Sequence, residues 1–136
     1  MLPDFMKKFF FIILLLLSSR CTVFADTRLD SLQKALKESE EDTNRVNILN
    51  SIYREYQNSD PEISFVYAEK ALELSEKLGF SKGSASSLNN IGRYYFSKGQ
   101  SSKALVFYIK ASDIFTQIDN KKGKAISLAN IGSLFF

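Results

Sequence analysis

Leu88-Asn89-Asn90-Ile91-Gly92 returns 40 residues later as Leu128-Ala129-Asn130-Ile131-Gly132, and the agreement extends upstream of both copies. Lys82, Gly83, Ala85 and Ser87 align with Lys122, Gly123, Ala125 and Ser127 at that same spacing. One period earlier, at a spacing of 39, Leu49-Asn50-Ser51-Ile52 aligns with Leu88-Asn89-Asn90-Ile91, and Tyr56 aligns with Tyr95. Lys70-Ala71 likewise returns as Lys110-Ala111. Three copies of one unit are present, the last incomplete. Self-similarity at a fixed period marks an array in which each unit buries its apolar face only against its neighbours.

Within a unit the apolar residues recur with helical period. Ala85, Leu88, Ile91 or Gly92, and Tyr95 form one stripe, and Gly99 ends it. Ala104, Tyr108, Ala111, Phe115 and Ile118 form the stripe of a second helix, widened by Leu105 and Ile114. In the earlier copy Asp60 can cap the second helix, Pro61 suits its first position, and Gly79 is placed to stop it. Each unit therefore reads as a helix, a short turn and a longer helix. Upstream, Leu29, Leu32 and Leu36 mark another amphipathic helix, and Lys34-Ala35-Leu36 echoes Lys70-Ala71-Leu72. The reading is a half-repeat over residues 26–41 that shields the end of an array over residues 42–136, with Ser39-Glu40-Glu41-Asp42 as the polar turn between them.

The first 25 residues differ in character. Lys7-Lys8 precedes an uninterrupted apolar run over residues 9–17, followed by Ser18-Ser19 and the short-residue pattern Val23-Phe24-Ala25. This predicts a secretory signal peptide over residues 1–25, cleaved after Ala25, and export through the Sec pathway to a periplasmic or extracytoplasmic site. The run is about half of the roughly 20 residues that span a bilayer. Acylation of Cys21 is the minor alternative, opposed by Arg20 where a small residue should precede the cysteine. Met6 begins the more typical Met-Lys-Lys-Phe-Phe start and competes with Met1 as initiator.

Charge and composition exclude several function classes. Lys7, Lys8 and Arg20 against Asp4 carry +2 of the net +3, so the repeat region is near neutral at +1. That gives no basic footprint for nucleic acid. The chain has no histidine, which removes the commonest general base and metal ligand, and its one cysteine lies in the N-terminal segment. No phosphate loop or nucleophile elbow is present. The expectation is a non-enzyme without cofactor, metal or catalytic residues. Membrane contact is expected only through the signal segment or through an anchor beyond the last residue.

Leu88, Gly92, Tyr95, Gly99, Ala104, Tyr108 and Ala111 stand at offsets that resemble the tetratricopeptide repeat (TPR) family, in which small residues let helices approach and aromatic rings fill the space between them. The resemblance spans roughly residues 27–136 and implies an all-α, right-handed superhelical solenoid of antiparallel helix pairs. It departs from the family pattern in its 40-residue period, in the missing late proline, and in Tyr53, which stands where the first copy should have glycine. The long period is similar to that of kinesin light chains, bacterial peptide-sensing regulators, and the sensory halves of some bacterial membrane signalling proteins. A first helix over residues 124–136 without a following second helix is read as the end of a fragment of a longer protein.

In such arrays the first helix of each unit lines a concave groove that holds a peptide or partner segment. Carrying this across by register points to Asn50, Arg54, Asn89, Asn90, Arg93 and Asn130. A carboxamide can clamp a peptide backbone and an arginine can hold a carboxylate. The plain counter-reading is that the asparagines bond between neighbouring helices and the arginines are solvated. Tyr94, Tyr95, Phe107, Tyr108 and Phe115 read as core, with Phe96 alone facing the groove. The acidic cluster of Glu38, Glu40, Glu41 and Asp42 lacks the ligand pattern of a calcium loop, and Lys121-Lys122 is too short for a phosphate patch. The resemblance thus implies an exported protein- or peptide-binding module, and as an alternative the input domain of a histidine kinase or nucleotide cyclase whose catalytic part lies beyond residue 136.

Overall fold

The computed structural model describes the backbone of residues 1–136 and the side chains of residues 1–13 and 28–136. Cys21 and the expected cleavage site at Ala25 lie outside the described side chains. The chain is all-helical: α1 Asp4–Glu38, α2 Thr43–Tyr56, α3 Pro61–Lys77, α4 Ser81–Ser97, α5 Ser101–Gln117, α6 Lys121–Gly132, and a 3₁₀ turn Ser133–Phe135. α4 and α5 have 17 residues each, so the 40-residue unit divides into equal halves. The longer second helix expected from sequence holds only in the first unit, where α2 has 14 residues and α3 has 17.

The even division follows from a turn used three times. Gly79 and Gly99 adopt φ of 64° and 71°, and Asp119 stands in the third turn at φ 51°. At each, the residue after the left-handed one donates back into the helix: Phe80 N to Ser75 O at 2.8 Å, Gln100 N to Tyr95 O at 2.9 Å, and Asn120 N to Phe115 O at 2.8 Å. This is the Schellman closure, which satisfies terminal carbonyls and needs a residue tolerant of positive φ. Asp is among the few side chains that accept it. At the other ends, Asp42 accepts from Arg45 N, Asp60 from Ile63 N ahead of Pro61, and Asn120 from Gly123 N. Each satisfies a donor that the first helical turn leaves free.

Consecutive helices pack as antiparallel pairs, and α4 also touches both α2 and α6. The first helices of the units therefore form one layer, with α3 and α5 behind it. The end of α1 covers the start of the array. Leu36 packs on Val46, Leu49, Ala71 and Leu74. Arg45 donates to the carbonyl oxygens of Leu36 at 2.9 Å and Ser39 at 2.8 Å, capping the C-terminus of α1. Arg28 pairs with Glu55 at 3.0 Å.

The core keeps its volume by exchanging large and small residues between helices. In the second unit Gly92 on α4 faces Tyr108 on α5, and a Cβ at Gly92 would lie 2.5 Å from the Tyr108 ring. In the first unit Tyr53 stands at the glycine position and Ala68 at the tyrosine position, and the two pack together. The departure from the family pattern at Tyr53 is thus compensated across the helix pair. A second exchange lies at the turns: Phe80 fills the notch beside Gly83, whereas Phe115 fills the notch beside Gly123. The residues at the reciprocal positions, Ser75 and Asn120, are small or polar.

Candidate functional site

The six groove residues expected from sequence fall into two groups. Asn50 and Asn89 are buried. Asn50 Oδ1 accepts from Ser87 Oγ at 3.2 Å and from Asn90 Nδ2 at 2.8 Å, tying α2 to α4. Asn89 Nδ2 lies 2.9 Å from Ser127 Oγ and ties α4 to α6. Asn50 and Asn89 are equivalent at a spacing of 39, and Ser87 and Ser127 at a spacing of 40, so the same rung is built twice. Among the described residues, the enclosed side-chain atoms left without a partner are Asn89 Oδ1 and Asn130 Nδ2. Asn130 is the equivalent of Asn90. A half-turn of the Asn89 carboxamide would present its oxygen to Ser127 and reproduce the acceptor that Asn50 offers to Asn90. The polar residues between first helices therefore bond mainly to one another across the seam, as buried carboxamides generally do.

The other group faces outward. Arg54 and Arg93 are exposed and equivalent, at the ends of α2 and α4. Arg54 Nη2 donates to Ser51 Oγ at 2.8 Å. Arg93 makes no hydrogen bond or ion pair with a described residue. It lines a cleft of about 400 Å³ together with Tyr53, Phe96, Tyr108 and Asn130. Pro61 and Ser64 from the start of α3 close one side. Phe96 is 40% exposed on this cleft, as its expected groove position requires.

Tyr108 was expected only as core, and its ring is core. Yet both Tyr53 and Tyr108 keep 1% of their surface and line the cleft. Neither hydroxyl bonds to a described residue, and neither is among the enclosed unpartnered atoms. The residual exposure of each therefore includes its hydroxyl. Burial pushes the Tyr53 phenol up to about 12, while the charge of Arg93 pulls it down. The Tyr108 phenol also stands at about 12, raised first by burial and further by Tyr53, and lowered by Arg93. Both are protonated at neutral pH, and both feel the guanidinium.

Of the remaining aromatics, Tyr94 also borders the cleft and the others do not line it. Phe65 stacks on Tyr94 at 4.3 Å and Tyr95 on Phe107 at 5.4 Å. Lys98 and Lys103 sit over Tyr94 and Tyr95. Tyr94 donates to Glu62 Oε2 at 2.7 Å. The lysines cover the ring faces that a ligand would need.

The sequence profile described as the SusR N-terminal TPR domain matches residues 25–130. The chain belongs to this family. A comparison with curated proteins found no significant match. As a TPR-type domain the chain is a protein- or peptide-interaction module and a non-catalytic scaffold. Among the described residues, no group of three or more His, Cys, Asp or Glu converges to hold a metal ion, and no helix is long and apolar enough to cross a membrane. One expectation is corrected by the SusR match. Export through the Sec pathway to a periplasmic or extracytoplasmic site was read from the N-terminal apolar run, whereas the SusR-type TPR domain is a cytoplasmic regulatory module. An apolar run behind two lysines is a local pattern that says nothing of the domain it precedes, and the family of the folded part overrides it.

Proposed function

We propose that the layer formed by α2, α4 and α6 holds an extended or helical segment of a partner protein, with contact centred on the cleft at Arg93. The observation that carries this is Arg93 itself. It is an exposed guanidinium without a partner among the described residues, beside the half-exposed ring of Phe96, in a cleft built from three successive units. Arginine beside an aromatic ring in a partly desolvated cleft is the composition of an interface anchor. Arg54, Asn90 and Asn130 extend the same face as contacts along the partner. Asn50 and Asn89 shape it from beneath.

The wider reading is that this module is the input part of a longer regulatory protein, supported by a family described as the N-terminal domain of SusR. The alternative of a histidine kinase or nucleotide cyclase input domain calls for catalytic motifs in residues after Phe136, and the full-length gene decides it.

The binding reading is tested by panning a displayed peptide library on the full chain and titrating the selected peptides by calorimetry. Arg93→Gln and Asn130→Ala should weaken binding several-fold while urea midpoints hold. Failure to select any peptide, or undiminished binding by both variants, would refute it.

A further inference from the structure

The cleft carries more chemistry than a peptide groove requires. Resting on the reading above, we propose that it is a site for one carboxylate, held by the Arg93 guanidinium and by the hydroxyls of Tyr53 and Tyr108.

The donors come from two units and three helices, α2, α4 and α5, and the exchange of Tyr53/Ala68 for Gly92/Tyr108 brings them together. Had both units followed one pattern, each would present its ring from the same helix. Instead one tyrosine reaches the cleft from the first layer and the other from the second. Both are buried to 1% exposure with hydroxyls unpartnered among described residues. A buried ring whose hydroxyl opens on a cleft without a protein partner aims a donor into it, and two such donors beside one guanidinium are explained by an acceptor that enters.

The identity of that group follows from the lining. It contains Arg93 and no aspartate or glutamate. The nearby Glu62 is already engaged by Tyr94 and Lys98. A guanidinium only donates, so the ligand must accept. A carboxylate offers about four lone-pair sites, two for a bidentate arginine and two for the phenols. The first turn of α3 at Pro61 and Ser64 favours negative charge there, while the last turns of α2 and α4 oppose it. Those are partial charges, and the full charge of Arg93 decides the sign. Pro61 and Phe96 leave apolar walls for the carbon skeleton beside the carboxylate.

The test is an NMR titration of the full chain with sodium acetate against sodium chloride at matched ionic strength and neutral pH. Saturable shifts are expected at the Tyr53 and Tyr108 rings and the Arg93 Nε–H. Tyr53→Phe and Tyr108→Phe should each weaken acetate binding by roughly 2- to 10-fold, and Arg93→Gln by more than about 10-fold. Because nothing described in the fold uses the two hydroxyls, the Tyr→Phe variants should keep their urea midpoints. Non-saturating shifts, variants with unchanged affinity, or midpoints that fall on Tyr→Phe would each overturn the site. Acetyl-Ala-Phe is then compared with its carboxamide, and with acetyl-Asp-Phe carboxamide. Preference for either acid supports the site and tells a main-chain carboxylate from a side-chain one. Peptides that bind equally well as amides overturn the site but leave the groove reading standing. Acetate binding without any peptide binding does the reverse.

Discussion

Gly92→Ala tests the packing on which the cleft depends, and the chain supplies its own control. A Cβ at Gly92 would stand 2.5, 2.7 and 3.2 Å from three carbons of the Tyr108 ring, where ordinary contact begins at 3.4 Å. The ring would have to retreat by nearly an ångström, yet Tyr108 is 1% exposed. Overpacking of this kind costs about 1–3 kcal/mol. Against it stands the gain of about 1 kcal/mol for alanine over glycine inside a helix. The net expectation is a loss of up to about 2 kcal/mol, lowering the melting temperature by up to roughly 12 °C for a domain of this size.

At the equivalent Gly132 a Cβ would meet nothing within 4 Å. Gly132→Ala should therefore be neutral or stabilising by up to about 0.5 kcal/mol, since the residue ends its helix. Urea melts of both variants decide the matter, with Gly92→Ala repeated in a Tyr108→Ala background. There the steric cost is gone and the substitution should stabilise by up to about 1 kcal/mol. Equal effects of Gly92→Ala and Gly132→Ala, or the same loss in both backgrounds, would refute the argument.

Three further outcomes follow. Asn50→Ala strips the acceptor shared by Ser87 and Asn90 and should cost about 1–3 kcal/mol in a urea melt; Asn90→Ala, which removes only one donor, should cost less. The Tyr53 phenol is raised to about 12 from 10, so its contribution is fully present below pH 10 and is lost as pH climbs through 12. That amounts to about 2–3 kcal/mol, and Tyr53→Phe should flatten this part of an alkaline unfolding curve against the wild type. Tyr53→Gly and Ala68→Tyr should each destabilise, by about 3–5 kcal/mol and about 1–3 kcal/mol respectively, while the double variant, which copies the second unit, should lose less than the sum when melted beside them.

The repeat made most of the fold legible from sequence. Near-identical segments 40 residues apart fix equivalent positions without any assumption about structure, and Gly79 and Gly99 announce their turns because positive φ is cheapest for glycine. Asp119 was not legible as the third member, since aspartate serves turns and caps of many kinds. Equal helix lengths in the second unit escaped notice because no cap residue marks the starts of α4 and α5. The candidate site was legible in its register but not in its division of labour. Asn50 and Arg93 both project from a first helix, yet a carboxamide serves a neighbouring helix and a ligand equally well. Only the position of Ser87 decides between them. The hydroxyls of Tyr53 and Tyr108 were hidden for another reason. Helical spacing assigns a whole side chain to the core, whereas a tyrosine can bury its ring and keep its oxygen at the edge.

Stacking first helices side by side explains why so few groove residues remain free to bind. Each first helix must approach the next closely, and polar groups caught between them have to be satisfied within the seam. Ser87 with Asn50 and Ser127 with Asn89 bond across the two junctions, so those residues are committed to the scaffold. Residues beyond the seam are under no such constraint. Arg93 lies one position past Gly92, outside the contact, and Tyr53 and Tyr108 reach the same edge only because the glycine position is occupied in one unit and vacant in the next. The exchange that keeps the core filled also delivers unpaired donors to one place. Substitutions in the seam should therefore register in stability, and substitutions at Arg93 and the two hydroxyls in affinity, because the fold uses the first set and leaves the second unspent.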